Sequence, residues 1–382
     1  MREENYHQIV SGVENMERRH EEERENPLPL KKRKKEVQVI GITYNLRKDA
    51  QADEPDDIYE EYDCLETVEA LSNEIASLGF QVFLFEQNEL LLQKLDSIAP
   101  DFVLNIAEGL GNYRGRESQV PCILESLNIP FSGSDSASLA IALDKVLTSH
   151  VLRASNIPAP KNYVAKLPQD TTEKKVIFNT CQKYIIKPRW EGSSKGIFLD
   201  SIADTPEKVK TCIKRIWERY NQPAIVEEFL PGIEITAGVA GNIQPKCIGM
   251  MSITPVTENS SFLYSLEEKR NYLERIRYSG PDSMSPQLRK KIEDLAVRAF
   301  KALELRDIAR IDFRLDDKGQ PRVIDINPLP GLSPAYSDLP ILYRLSGGEY
   351  SELIQTILRE AFSRYGLCAP CLNEPELVRE KA

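Results

Sequence analysis

Between residues 310 and 331 the chain reads Arg310-Ile-Asp312-Phe-Arg-Leu315, then Asp316-Asp-Lys-Gly319, then Val323-Ile-Asp325-Ile-Asn327-Pro-Leu-Pro-Gly331. Two apolar stretches around a glycine-containing turn predict a β-hairpin. This hairpin carries polar residues inside strands that are otherwise apolar, where unpaired charge is costly. Side chains alternate along a strand, so Asp325 and Asn327 face the same way, and Asp312 on the paired strand can join them. Three hard oxygen donors converging on one face suit Mg²⁺, which takes few protein ligands and leaves room for phosphate oxygens. Arg310 shares the face of Asp312 and can stabilise charge on a transferring phosphoryl group. The bland alternative is a surface hairpin with solvated acids, which the apolar setting weakens.

The remainder of the chain narrows the class. With 382 residues, 41% of them hydrophobic, it can bury a substantial core across two or three domains. Asp and Glu number 59 against 49 Lys and Arg, a net charge of −10, which disfavours a general nucleic-acid binder. No apolar run reaches the roughly 18 residues of a membrane span, and the N-terminus lacks a signal-peptide core. The expectation is a soluble, cytoplasmic protein. Seven scattered cysteines suit reduced thiols. The lone pair Cys368-Ala-Pro-Cys371 is a weak metal or redox motif, because the only histidines are His7, His20 and His150.

Residues 1–36 form a charged extension that includes Lys31-Lys32-Arg33-Lys34-Lys35. It reads as a solvated arm or, more sharply, a docking arm for a partner. Residues 37–134 alternate strand and helix: strands at Val37–Ile40, Gln81–Phe85 and Phe102–Ile106, with helices near 66–78 and 90–98. That pattern implies a parallel α/β sheet. A second unit, 135–223, opens with one helix over Ala137–Ser155 and continues with short strands at Tyr184–Lys187 and Gly196–Leu199 and a helix over 207–219. A third, 224–368, has strands at Ala224–Glu228, Glu234–Ala240, Ile308–Leu315 and Arg322–Ile326, a helix over Pro286–Leu303 and a last helix after Gly348; residues 369–382 form a tail.

Two further segments carry chemistry. In Lys187-Pro-Arg-Trp-Glu-Gly192-Ser-Ser-Lys-Gly196 a strand delivers a lysine, and a Gly/Ser turn then exposes backbone N–H groups able to cover phosphate oxygens. It is not a Walker loop, and Gly109-Leu-Gly111 fails the dinucleotide fingerprint because Arg114 stands at the third glycine position. A nicotinamide oxidoreductase is thereby disfavoured. Ile225-Val-Glu-Glu-Phe-Leu-Pro-Gly-Ile-Glu234 reads as a linker strand for adenine with Glu234 at the ribose, or as an ordinary edge strand.

In order and spacing these segments resemble the D-alanine–D-alanine ligase branch of the ATP-grasp superfamily, over roughly residues 37 to 365. The markers are Gly133-Ser with Ala142-Leu-Asp-Lys145, Ile186-Lys-Pro…Glu-Gly-Ser-Ser, Val226-Glu-Glu-Phe…Glu234 and Arg310-Ile-Asp…Asp-Ile-Asn-Pro-Leu-Pro-Gly. The resemblance implies an ATP-grasp fold: a parallel α/β N-terminal domain, then two α+β domains with ATP between them. It implies that Lys145, Lys187 and Lys269 hold ATP phosphates under a loop containing Ser193 and Ser194, with Lys269 in a mobile loop near 257–280. Glu227, Glu228, Phe229 and Leu230 would form the adenine hinge and Glu234 the ribose acceptor. Asp312, Asp325 and Asn327 would bind two Mg²⁺ (Mn²⁺ can substitute). Arg310 and the Gly331 amide would stabilise the tetrahedral intermediate.

The activity the resemblance implies is ADP-forming peptide-bond synthesis through an acyl-phosphate, carried out by a homodimer. The departures bear on the substrates. Leu46 stands where the family has a Glu for the first D-alanine's amino group, Ser193 keeps the position of that residue's serine partner, Arg270 replaces a loop tyrosine, and Glu108-Gly109 replaces His-Gly. The second-substrate turn reads Gly331-Leu-Ser-Pro-Ala-Tyr336. Amino-acid or peptide substrates other than a D-alanine pair are therefore expected, with Glu108, Arg114, Arg116, Glu117, Arg270 and Tyr336 as candidate contacts. A carrier-protein-bound or larger amine, docked by the basic arm, and a non-catalytic ATP-binding scaffold are the alternatives.

Overall fold

The computed structural model describes residues 36–166, 183–257, 262–369 and 372. The arm at 1–35 and its basic run therefore lie outside the described residues, as do Cys181, Cys371 and most of the tail. Cys64, Cys122, Cys212, Cys247 and Cys368 are free thiols. No helix among the described residues is long and apolar enough to cross a membrane.

The first sheet is parallel, in the order β2-β1-β3, from β1 (Val39–Tyr44), β2 (Gln81–Glu86) and β3 (Phe102–Asn105). Between them run α1 (Leu65–Ser77) and α2 (Leu91–Ile98), so the alternation read from sequence is observed. Val68, Leu71 and Ile75 of α1 are fully buried, as helical spacing of its apolar residues requires. After β3 comes α3 (Gln119–Ser126), which lacked a clear periodic signal.

The helix expected over 137–155 is two helices, α4 (Ser136–Leu143) and α5 (Lys145–Ala154). Asp144 causes the break: its backbone leaves the helical region (ψ 94°), and its carboxylate accepts from the Val146 and Leu147 N–H groups as the N-cap of α5. Lys145 thus begins a new helix instead of continuing an old one.

The second sheet is antiparallel, in the order β4-β7-β5-β6, from β4 (Asn162–Ala165), β5 (Tyr184–Pro188), β6 (Ile202–Ala203) and β7 (Ala224–Glu228). The helix α6 (Pro206–Tyr220) packs on it through Val209, Ile213 and Ile216. The strand expected over 196–199 is instead a turn; the chain pairs with β5 only at Ile202–Ala203. Left-handed backbone at Ser193 (φ 48°), Ser194 (φ 59°) and Gly196 (φ 72°) turns the chain just before, and a short 3₁₀ turn over Leu199–Ser201 follows the extended Phe198, so no strand forms.

The third sheet runs β10-β9-β8-β11-β12, all antiparallel: β8 (Glu234–Ala240), β9 (Lys246–Pro255), β10 (Ile276–Ser279), β11 (Ile308–Leu315) and β12 (Pro321–Asn327). Before β10 lie two short helices, α7 (Leu266–Arg270) and α8 (Tyr272–Arg275), where the sequence suggested only a loop. The helix α9 (Pro286–Ala302) covers one face of this sheet through Ile292, Leu295, Ala299 and Phe300. After β12 follow α10 (Asp338–Leu345) and α11 (Tyr350–Tyr365). The latter returns to the first sheet, where the Phe362 ring meets the edge of Phe102 at 4.8 Å, and the Val37 N–H donates to the Cys368 carbonyl. There α11 packs beside α1 on the sheet face that carries Ile40, Ile42, Phe102 and Leu104, while α2 and α3 cover the opposite face through Leu91, Leu95, Val120 and Leu124.

Candidate active site

The hairpin β11–β12 forms as its sequence requires. Asp316 Oδ1 accepts from the Lys318 and Gln320 N–H groups at 2.9 and 2.8 Å, fixing the turn before Gly319 (φ 68°). Register sets Arg310 opposite Asn327 and Asp312 opposite Asp325. Arg310 donates to both Asp312 oxygens at 2.9 and 3.0 Å, Thr236 on β8 donates to one of them at 2.6 Å, and Asn327 Nδ2 to the other at 3.0 Å. Burial raises the Asp312 pKa, but Arg310 and these hydrogen bonds outweigh it and hold the carboxyl below its ordinary value. It is therefore anionic. Lys145 Nζ, from the start of α5, lies 2.7 Å from both Asp325 oxygens.

On the neighbouring sheet, β5 carries Lys187 and β7 carries Glu227; their side chains meet at 2.7 Å, and both are buried. Burial works against the lysine's charge, yet Glu227 and Asp325 raise its pKa above the ordinary value. Beyond them a cleft is walled by Ile185, Phe229, Ile253, Leu263 and Ile324, an apolar slot suited to a flat ring. Glu228, Leu230, Glu234 and Lys269 also line it. Arg314 secures this end: it donates to the Leu230 carbonyl at 2.6 Å, to Glu234 at 3.3 Å and to the Phe262 carbonyl, and stacks 4.9 Å from the Phe229 ring centre. Burial drives the Glu234 pKa up, Arg314 opposes it, and the result is about 7. Lys269 Nζ sits 4.9 Å from the Tyr264 ring centre.

The turn 192–196 closes over the slot from above. Two consecutive serines in left-handed backbone cost energy that a surrounding structure must offset, and here the fixing contacts come from the first domain's loop. Asp57 accepts from the Gly196 N–H at 2.9 Å and Glu61 from the Gly192 N–H at 2.5 Å. Ser194 donates to the Tyr264 carbonyl at 3.0 Å. Glu61 is itself gripped by Arg116, at 2.6 and 2.7 Å, and Arg116 also reaches Glu191, which Lys195 meets at 2.9 Å. Burial raises the Glu61 pKa, but Arg116 and Lys195 bring it down to about 2.

A second cavity adjoins the first, and Lys145, Ser193, Arg310, Asp325 and Asn327 line both. Glu108, Glu117, Gly331 and Tyr336 lie on its wall. Three other candidate contacts do not reach it. Arg114 pairs with the Asp144 carboxylate at 2.7 Å, Arg116 is locked in the buried network, and Arg270 pairs with Asp56 and Glu60 at the surface. Each answers an acid that local sequence could not reveal, since the partners lie far apart in the chain. Sequence reasoning also passed over Arg314, although it continues the alternate-residue series Arg310, Asp312, Arg314 on one strand face. Asp338, 3.5 Å from Arg310, offered no such signal.

Comparison with known proteins fixes the class. The fold is that of ATP-grasp ligases: over 86% of this chain and 99% of the other it superposes on the structure of D-alanine–D-alanine ligase from Bacillus anthracis complexed with ATP, with a TM-score of 0.65 at 21% identity. The VanG D-Ala:D-Ser ligase from Enterococcus faecalis gives 0.65 at 18% identity, covering 85% and 100%. A family model described as the D-ala D-ala ligase C-terminus matches residues 151–359. The D-alanine–D-alanine ligase of Gluconobacter oxydans is 32% identical over 274 residues, 72% of this chain and 84% of the relative. A Sinorhizobium fredii protein described as "Uncharacterized protein y4sG" is 31% identical over 298 residues, 75% and 84%. The chain belongs to the D-alanine–D-alanine ligase family.

Proposed function

We propose that this family member is an ADP-forming ligase that joins amino acids or small peptides through an acyl-phosphate. The observation that carries the reading is the shared seam. Lys145, Ser193, Arg310, Asp325 and Asn327 line both the apolar-walled slot and the acidic cavity. A phosphoryl group bound from one side therefore meets an acceptor bound on the other inside the protein.

In this reading adenine enters the slot beside Phe229 and Leu230, with Glu227 and Glu228 at the hinge and Glu234 at the ribose. Lys145, Lys187, Lys269 and the turn 192–196 receive the phosphates. The donor set on the hairpin fits Mg²⁺: two carboxylates face one another in register, and the Asn327 amide, whose nitrogen is spent on Asp312, keeps its oxygen available. Asp312, Asp325 and Asn327 would hold the ion, which supplies neutralisation of phosphate charge (Mn²⁺ offers the same chemistry).

The remaining work belongs to the chain. Lys145, now on Asp325, is within reach of incoming phosphate oxygens. A substrate carboxylate oxygen takes the γ-phosphoryl group as its bond to ADP breaks. An amine then attacks the acyl carbon, loses a proton, and phosphate leaves. Arg310 stabilises the tetrahedral oxyanion, with the Gly331 backbone alongside. The segment 262–275 and the turn 192–196 exclude water, which would otherwise hydrolyse the acyl-phosphate.

The substrates need not be the D-alanine pair named for the relatives. Leu46 cannot hold an ammonium, and it is bridged to Asp63, so a carboxylate reaches the cavity from another position. Substitution Asn327→Ala tests the reading: turnover should fall far more than ATP affinity. Equal losses of the two would contradict a role in transfer.

A further inference from the structure

The cavity beyond the seam holds more carboxyl groups than one α-ammonium group can answer. Four of its carboxylates are balanced within the chain: Glu60 by Arg270, Glu61 by Arg116, Glu191 by Lys195 and Asp325 by Lys145. Asp63, Glu108 and Glu117 also line it, and among the described residues no hydrogen bond or ion pair reaches their side chains. Glu117 is only 7% exposed, yet it borders the cavity. Burial is the main force raising its pKa, Arg116 opposes it, and the net value is about 8. Burial raises Glu108 well above the usual range, with Glu117 and Glu61 adding to it, and lifts Asp63 to about 7.

A buried carboxylate without a partner is costly, and such groups persist where a ligand supplies the missing charge. Asp63, Glu108 and Glu117 are not grouped closely enough to hold a metal ion between the three of them. We propose that the cavity takes an amino acid, or the amino-acid end of a peptide, that carries a second cation on its side chain, an amine or guanidinium, which Glu117 and Glu108 bind. The α-ammonium then falls to Asp63. The inference deepens the ligase reading by naming a substrate class, and it rests on that reading for the reaction but not for binding.

The test is titration calorimetry on the full chain in saturating Mg·ADP, using D- and L-lysine, ornithine and arginine against norleucine and 6-hydroxynorleucine. At least one basic amino acid should bind roughly tenfold or more tightly than its neutral counterpart, and Glu117→Gln should abolish that preference. Glu108→Gln should reduce it in the same direction. The ligand-free Glu117→Gln protein should melt at or above the wild-type temperature at pH 8.5, since the change removes an unpaired buried charge. Equal affinity for basic and neutral amino acids, or no binding by any, overturns the proposal. So does a lowered melting temperature for Glu117→Gln, which would make the carboxylate structural. Tight binding of a basic amino acid without ADP release in the presence of ATP and an amine would instead contradict the ligase reading alone.

Discussion

The two cavities share a wall but handle charge in opposite ways. In the nucleotide slot Lys187 meets Glu227, Arg314 meets Glu234, and Arg310 meets Asp312, so the buried ions are balanced before any ligand arrives. In the acidic cavity Asp63, Glu108 and Glu117 wait with no such partner. A site for a ligand shared by many enzymes can be preorganised within its own strands. A site that selects one substrate keeps its discrimination in groups left for that substrate to satisfy.

The largest effect is expected at the seam: Asp325→Asn should lower turnover roughly 10³-fold, with ATP binding reduced much less. Steady-state kinetics beside nucleotide titration would measure both. Next is Arg116→Met, which strands Glu61 and Glu191 in the interior and should cost about 3–5 kcal/mol of stability by denaturant unfolding. If Arg116 instead contacts substrate, the variant would fold normally and lose only activity.

Arg314→Met should raise the KM for ATP roughly tenfold with kcat little changed, because it loosens only the adenosine end. A pH series probes the other cavity. There Asp63 and Glu117 have folded pKa values of about 7 and 8, and Glu234 in the slot one of about 7, all above their unfolded values. The folded state therefore holds more protons, and ligand-free stability should fall as pH rises from about 4 to about 8. Melting curves from pH 5 to 8.5 should show the decline, and Asp63→Asn should make it shallower. The smallest effect belongs to Asp316→Ala, which removes two turn hydrogen bonds and should lower Tm by about 2–4 °C without altering the KM for ATP.

These expectations divide along the line of what the sequence makes visible. The hairpin's alternation put Arg310, Asp312, Asp325 and Asn327 on one face, and the register brings them together. Lys187 and the serine turn were readable because strand and turn signals are local. The break at Asp144 was not, since an acid inside an apolar helical run acts as a cap only through its backbone angle and its contacts with Arg114 and Arg189. Arg116 meets Glu61 across 55 positions and the Gly192 N–H meets Glu61 across 131, and no periodicity predicts such meetings. Arg114, Arg116 and Arg270 likewise pair with the distant carboxylates of Asp144, Glu61 and Glu60, which no local signal in the sequence shows.

The most direct test of the central claim is nucleotide product analysis. Purified protein with Mg·ATP would be offered pooled D- and L-amino acids and small peptides, with ADP, AMP and phosphate quantified. Substrate-dependent release of ADP and phosphate in equal amounts is expected, greatest in pools containing basic amino acids. Release of AMP with pyrophosphate, or ATP binding with no turnover for any pool, would contradict that claim.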